Sequence, residues 1–281
     1  MIKHDKYFLD QIFEGYNNYD FLNQNKLPEL LGVSISESEA YINQMYDNPT
    51  FNVDPVKTLQ PDFKDLYRLH WLVTSRRVTT ILEFGVGKST IIFNDALLKN
   101  KALYDNYISK NLRRSNLFEC HSVDNYESWI DEISKNYNLD RVTYQKSDLN
   151  MGTFSDKICT YYDPLPNVCP DFIYLDGPDT ISALGNIRGI STNHIDRLPM
   201  AADILAIEHF LLPGTLIVID GRTANARFLT SNLQRSWLYF YDEVMDQHFL
   251  ELSEAPLGIY NRRQIEYCLG KTFFSRVLKS N

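Results

Sequence analysis

The chain has 281 residues, of which 44% are hydrophobic and 23% charged, a composition that allows a globular core without disulfides or a structural metal. The net charge of −8 argues against a nucleic-acid partner, because nucleic-acid binders usually carry a basic face. No signal-peptide core follows Met1, and no apolar run reaches the roughly 18 residues of a membrane span. We therefore expect a cytoplasmic protein with neither nucleic acid nor membrane as partner.

Residues 1–75 are predicted to form an N-terminal helical cap, and residues 76–281 the main domain. The segment from Phe63 to Val73 has helical periodicity, with Leu66, Leu69, His70 and Val73 on one face. The stretches Leu27–Gly32 and Asn48–Pro49 are predicted breaks between helices.

From residue 78 onward, short apolar runs alternate with amphipathic stretches, which is typical of βαβ units around a parallel sheet. The strands are predicted at residues 79–84, 118–123, 141–145, 172–175 and 215–219, followed by a pair at 237–241 and 248–252. Helices are predicted at 89–100, 127–137, 201–210 and 224–232, with residues 101–117 an insertion or an irregular second helix. The link at 242–247 is too short for a helical crossover, so at least one strand of the final pair should run antiparallel. The prediction is a doubly wound, Rossmann-like α/β fold with seven strands, mostly parallel, and an antiparallel last strand.

Acidic residues stand where the predicted strands end. The carboxyl ends of parallel strands meet at one edge of the sheet, and ligands bind beyond that edge at the switch point in strand order. A single Asp after a strand is usually a turn residue, but a repeated set indicates a functional rim. The rim residues are Glu83, Asp124, Asp148, Asp176 and Asp220.

The loop after the first strand contains Gly85 and Gly87, followed by Ser89 and Thr90, which can cap the next helix. A triphosphate loop needs a glycine five residues before Gly87, where this chain has Leu82 within a strand. A nicotinamide dinucleotide needs a third glycine, and position 90 is Thr. S-adenosylmethionine has no pyrophosphate and needs only the tight Gly-x-Gly turn.

Four segments in order resemble the motifs of class I S-adenosylmethionine-dependent methyltransferases. They are Glu83-Phe84-Gly85-x-Gly87-x-Ser89-Thr90, Val123-Asp124, Ser147-Asp148 and Phe172-Ile173-Tyr174-Leu175-Asp176-Gly177. The resemblance implies that the first loop holds the methionine end of the donor. It also implies that Asp124 binds the ribose, and that Ser147 or Asp148 lies near the adenine.

The acids at the ends of the fourth and fifth predicted strands, Asp176 and Asp220, are similar to those of the metal-dependent O-methyltransferases of small molecules. That similarity implies a magnesium ion between them, since oxygen ligands suit magnesium. The pattern departs from those enzymes at Gly221, where they carry another Asn or Asp. It departs again at Asp179, where they often carry Lys; Asp179 is a candidate ligand or base.

Two further candidates for acceptor binding follow Asp220. Arg222 and Asn225 could bind an anionic acceptor at the rim, or they could serve only to cap loop carbonyls.

The resulting expectation is a methyltransferase that O-methylates a sugar or a secondary metabolite. Asp176, Asp179 and Asp220 are its expected catalytic residues. The alternatives left open are an NAD(P)-dependent oxidoreductase and a catalytically inactive Rossmann-like scaffold. The sequence is also compatible with a homo-oligomer.

Overall fold

The computed structural model of the chain describes residues 2–4, 18–47 and 59–280. Their main feature is a sheet of eight strands, accompanied by a separate two-stranded hairpin. The strands are β1 Ile2–His4, β2 Thr80–Phe84, β3 Glu119–Asp124, β4 Val142–Lys146, β5 Asp148–Phe154, β6 Lys157–Asp163, β7 Phe172–Leu175, β8 Leu216–Asp220, β9 Trp237–Asp242 and β10 Gln247–Leu252.

The order of the sheet is β1-β9-β10-β8-β7-β2-β3-β4. The chain winds outward from β2 through β3 and β4, then returns to the other side of β2 with β7 and β8. The switch point therefore lies between β2 and β7. Strand β10 is inserted between β8 and β9 and is antiparallel to both. The doubly wound fold and its antiparallel last strand are confirmed.

The prediction of seven strands was wrong by one. Strand β1 pairs in parallel with β9, in the register Ile2–Trp237, Lys3–Leu238 and His4–Tyr239. The N-terminal region is therefore not purely helical, since three of its residues belong to the main sheet. The boundary predicted at residue 75 stays a prediction, and the break at Asn48–Pro49 lies outside the described residues.

Helices cover both faces of the sheet. They are α1 Asn18–Gln24, α2 Leu27–Leu31, α3 Ile35–Asp47, α4 Phe63–Ser75, α5 Lys88–Asn111, α6 Glu127–Asn136, α7 Asp203–Ile207, α8 Thr223–Thr230, α9 Gly258–Cys268 and α10 Lys271–Ser280. Helix α5 runs through part of the stretch predicted as an insertion, and α2 occupies the predicted break, ending at Gly32 with φ 66°. Within the described ranges, no helix is both long and apolar enough to cross a membrane.

The core has one layer on each face of the sheet. Ile81 of β2 packs in the layer that contains Leu69 of α4 and Phe93 of α5. The next residue, Leu82, packs in the opposite layer with Leu205 of α7. Successive side chains of a strand point to opposite faces, so a strand covered on both sides is apolar throughout. This explains why the central strands were recognisable in the sequence.

The hairpin of β5 and β6 was not predicted. It pairs Asp148 with Asp163 and Phe154 with Lys157, and its turn consists of Ser155 and Asp156. The turn residues both have positive φ, 46° and 65°.

A buried ion pair joins the end of α4 to the sheet. The Arg76 guanidinium lies 2.8 Å from Glu251 of β10 and also donates to the carbonyl oxygen of Gly214 at 2.8 Å. Arg76 is 8% exposed and Glu251 is fully buried. Removing one partner of such a pair leaves a buried charge without compensation.

We expect Arg76→Ala to lower the free energy of unfolding by about 3–5 kcal/mol, because the buried Glu251 would lose its ion pair with Arg76. Urea denaturation followed by circular dichroism measures this loss. Arg113→Ala, which removes an exposed arginine lying over the Tyr260 ring, is the matched control and should change stability little. Equal losses in the two variants would contradict a structural role for the buried pair.

Candidate functional site

A cavity of about 310 Å³ opens at the carboxyl ends of β2, β7 and β8. This is the switch point of the sheet, where ligands bind in doubly wound folds. The glycine loop forms one wall, and α3 and α4 close the opposite side. The lining includes Tyr41, Asp62, Asp65, Gly85, Val86, Gly87, Lys88, Ser89, Trp129, Tyr174, Asp176, Asp220, Gly221 and Asp246.

Glu83 lies beneath the glycine loop rather than in the cavity. It is fully buried, and its carboxylate accepts hydrogen bonds from Ser89 at 2.6 Å, Thr90 at 2.8 Å and Ser122 at 2.5 Å. Burial raises the pKa of Glu83 to about 7, although the three hydroxyl donors oppose the shift. Glu83 therefore holds the start of α5 against β2 and β3, and the side chain has no surface to offer a cofactor.

The amides of the glycine loop are bonded within the protein. Gly85 donates its N–H to the Val123 carbonyl at 2.9 Å, and Val86 donates to the Asp124 carboxylate at 2.8 Å. Gly87 donates to the Thr90 hydroxyl at 3.1 Å. These three amides are therefore not directed at a ligand, unlike the free amides that bind phosphate at the start of a helix.

Asp124 ends β3 next to this loop and is 3% exposed. Besides Val86, its carboxylate accepts the amide of Tyr126 at 2.7 Å. Burial raises the pKa of Asp124 to about 6, and the amide bonds act in the opposite direction. A ribose hydroxyl would have to compete with these amides for the carboxylate, so ribose binding stays a prediction.

The glycine loop touches the segment that follows β7. A Cβ on Gly85, whose φ is 103°, would lie 2.9 Å from the Gly177 nitrogen. A Cβ on Gly177 would lie 2.7 Å from the Tyr162 hydroxyl and 2.9 Å from the Gly85 nitrogen. Both positions require glycine, which places the end of β7 directly against the loop.

Asp176 and Asp220 both line the cavity, as predicted from their positions at the ends of β7 and β8. The Asp176 carboxylate is half-exposed and lies 3.6 Å from the Nε of Arg222. Arg222 also donates to the carbonyl oxygens of Asp176 and Pro178, so it ties this loop together. Asp220 accepts the Tyr174 hydroxyl at 2.6 Å.

Asp65, from the first turn of α4, is the site residue that the sequence analysis missed. It lines the cavity with Asp220, and Gln247 of β10 donates an amide proton to it at 3.3 Å. Burial raises the pKa of Asp65, and the negative charge of Asp220 raises it further. Burial also raises the pKa of Asp220, and the negative charge of Asp176 raises it further.

The residues present do not fit a magnesium ion. Asp176 faces a guanidinium, Asp220 accepts a tyrosine hydroxyl, and Gly221 offers no side-chain oxygen. Over the described ranges, no group of three acidic, histidine or cysteine side chains is arranged to hold a metal. The magnesium ion expected between Asp176 and Asp220 is therefore not supported.

Two residues that were expected to act in catalysis or acceptor binding form hydrogen bonds within the protein instead. Asp179 accepts the amides of Ile181 and Ser182 at 2.6 and 2.9 Å and the Ser182 hydroxyl at 2.5 Å. Asn225 is fully buried. Its side-chain oxygen accepts the N–H of Ala201, and its side-chain nitrogen donates to the Ala201 carbonyl oxygen. The geometry favours the loop-anchoring alternative for Asn225.

The two residues expected near an adenine differ in exposure. Ser147 is buried and donates to the Pro164 carbonyl at 2.6 Å. Asp148 is exposed and lies 2.9 Å from Lys146.

No protein-family model matches the chain, and no curated protein matches it. Among solved structures, it is similar to a Podospora anserina methyltransferase bound to S-adenosylhomocysteine, at 12% identity and a TM-score of 0.39, over 69% of this chain and 80% of that one. It is also similar to a Bacillus cereus O-methyltransferase in complex with S-adenosylhomocysteine, at 15% identity and a TM-score of 0.37, over 83% and 98%. At such scores the likeness carries no argument about ligand or reaction.

The glycine contact makes a specific prediction. Gly85→Ala should cost at least about 2 kcal/mol more unfolding free energy than Gly87→Ala, because the first methyl group meets backbone at a positive φ. A Cβ at Gly87 meets nothing within 4 Å, which makes it the matched control. Chemical denaturation of both variants gives the comparison; equal costs would show that the loop does not press against Gly177.

Glu83 predicts a pH dependence of stability. Because its folded pKa is raised, the folded state holds the proton longer than the unfolded state, and stability is lost as the pH rises through about 7. Between roughly pH 5 and pH 8, the raised pKa of Glu83 should lower the free energy of unfolding by up to about 3 kcal/mol. Glu83→Gln should remove this loss. Denaturation midpoints at several pH values test this, with exposed Asp156→Asn as control. An unchanged slope in Glu83→Gln would refute the assignment.

Proposed function

We propose that this protein is an S-adenosylmethionine-dependent methyltransferase with a small-molecule acceptor. The observation that carries the proposal is the chemistry of the cavity at the switch point. Its walls hold five aspartates and one lysine among the described residues, and the three glycine-loop amides are already bonded to protein atoms.

These features disfavour a ligand with phosphates. A pyrophosphate would enter a negatively charged cavity and would find the amides of Gly85, Val86 and Gly87 taken. S-adenosylmethionine has no phosphate and carries a positive sulfonium and an ammonium, which an acidic cavity attracts. The aromatic rings of Tyr41, Trp129 and Tyr174 on the cavity wall also suit a cationic ligand. The same reasoning argues against the oxidoreductase alternative.

The donor supplies a methyl group that is already activated by its positive sulfur. The protein then has to align the acceptor, exclude water and receive a proton. Asp176 and Asp220 stand at the ends of adjacent strands on the cavity wall, where they could position an acceptor. The sugar or secondary-metabolite hydroxyl expected from the sequence stays a prediction, and we limit the proposal to a small-molecule acceptor.

Isothermal titration calorimetry with S-adenosylhomocysteine and with NADH tests the proposal. We expect S-adenosylhomocysteine to bind and NADH not to bind. Asp124→Ala should weaken S-adenosylhomocysteine binding by at least about tenfold, because the anchor of the Val86 amide is lost. Asp156→Asn, on the hairpin turn, is the control. Binding of NADH without S-adenosylhomocysteine would overturn the methyltransferase proposal.

A further inference from the structure

The negative charge of the cavity is only partly balanced. Among its lining residues, Lys88 is the one basic side chain that the structure describes, and its amine lies 3.9 Å from Glu132 and over the Tyr137 ring. Asp176 is balanced by Arg222 at 3.6 Å. Asp65 and Asp220 have no ion-pair partner within the described ranges.

Asp65 of α4 and Asp220 of β8 both line the cavity, and each accepts a hydrogen bond from a neutral side chain. Gln247 donates to Asp65 at 3.3 Å, and Tyr174 donates to Asp220 at 2.6 Å. Gln247 is fully buried, and its Oε1 finds no hydrogen-bond donor in the part of the chain that the structure describes. The two carboxylates are acceptors on the cavity wall, and an ammonium group has three N–H donors and no acceptor.

A second cavity adjoins this point inside the N-terminal helices. We call it the cap cavity; its volume is about 120 Å³. The apolar part of its lining is Leu22, Ile35, Ile42, Phe63 and Tyr67, and the polar part is Ser38, Glu39, Asn43, Asp62 and Lys64. Ile42 and Asp62 line both cavities, so the two are neighbours. An apolar cavity of about 150 Å³ is known to hold benzene, so the cap cavity has room for about one ring or a short alkyl chain.

We propose that the methyl acceptor is a protonated amine with a small apolar body. Its ammonium lies between Asp65 and Asp220, and its body enters the cap cavity. This inference rests on the proposed methyltransferase function and departs from the hydroxyl acceptor expected from the sequence. It assigns substrate recognition to Asp65, which none of the sequence motifs contains.

The chemistry balances with these residues. The ammonium first gives a proton to the carboxylate of Asp65 or Asp220, which frees the nitrogen lone pair. That lone pair forms the new N–C bond while the C–S bond of the donor breaks, and the electron pair of the broken bond stays on sulfur. The sulfonium becomes a neutral thioether, the methylated amine carries the positive charge, and the proton leaves from the carboxylate to solvent.

The test compares two probes that differ in one group. Phenethylamine and 2-phenylethanol share a ring and a two-carbon chain, but only the first carries an ammonium. Calorimetry on the full chain saturated with S-adenosylhomocysteine should show the amine binding at least about tenfold more tightly than the alcohol. Asp65→Asn should reduce that preference by at least about tenfold, and Asp156→Asn should leave it unchanged.

The outcomes separate the two proposals. If S-adenosylhomocysteine binds but the alcohol binds as tightly as the amine, the amine inference is wrong and the methyltransferase proposal stands. If S-adenosylhomocysteine does not bind to the unaltered protein, the methyltransferase proposal itself fails. Should Asp65→Asn not fold, as judged by its melting temperature, Asp220→Asn replaces it with the same expected loss. An unchanged preference in a folded variant would overturn the role of the acidic pair.

Discussion

The arrangement of the site depends on one buried carboxylate. Glu83 accepts hydrogen bonds from three hydroxyls, two in the first turn of α5 and one in β3, at distances of 2.5–2.8 Å. These bonds bring the helix start, the central strand and its neighbour to one point. The glycine loop connects β2 to α5 above that point, and its Gly85 lies in close contact with Gly177. The backbone of the loop therefore contacts the backbone at the end of β7. The switch-point cavity lies at this contact.

The electrostatics of the cavity follow from the same arrangement. In many doubly wound folds, the first loop offers its amides to a phosphate. Here Thr90 and Asp124 take two of those amides, and the rest of the cavity lining contributes Asp65, Asp176 and Asp220. The lining of this cavity is therefore acidic, and the amides that a phosphate would need are already bonded within the protein. The shared fold gives the place of binding, and the side chains determine what binds.

Part of this could be predicted from sequence. Central strands covered on both faces are apolar runs, so acids such as Asp176 and Asp220 were found where those runs stop. Asp65 was missed because an acid in the first turn of a helix is ordinary, and only packing brings α4 over the sheet end. The β5–β6 hairpin was missed because Ser155–Asp156 replaces the Asn-Gly turn that usually signals it. Likewise, no local pattern reveals that Glu83 points beneath the loop, or that a strand as short as β1 joins the sheet.

The pairing of β1 with β9 bears on how the protein is made. Ile2 and Trp237 are 235 positions apart in sequence (237 − 2), so this ladder is a long-range contact that can form only once β9 has been synthesised. Until β1 pairs with it, the outer edge of β9 presents an open row of amides and carbonyls, which is a template for pairing with another chain. Strand β1 covers this edge of the sheet, and loss of the β1–β9 pairing is expected to promote aggregation rather than to alter the cavity.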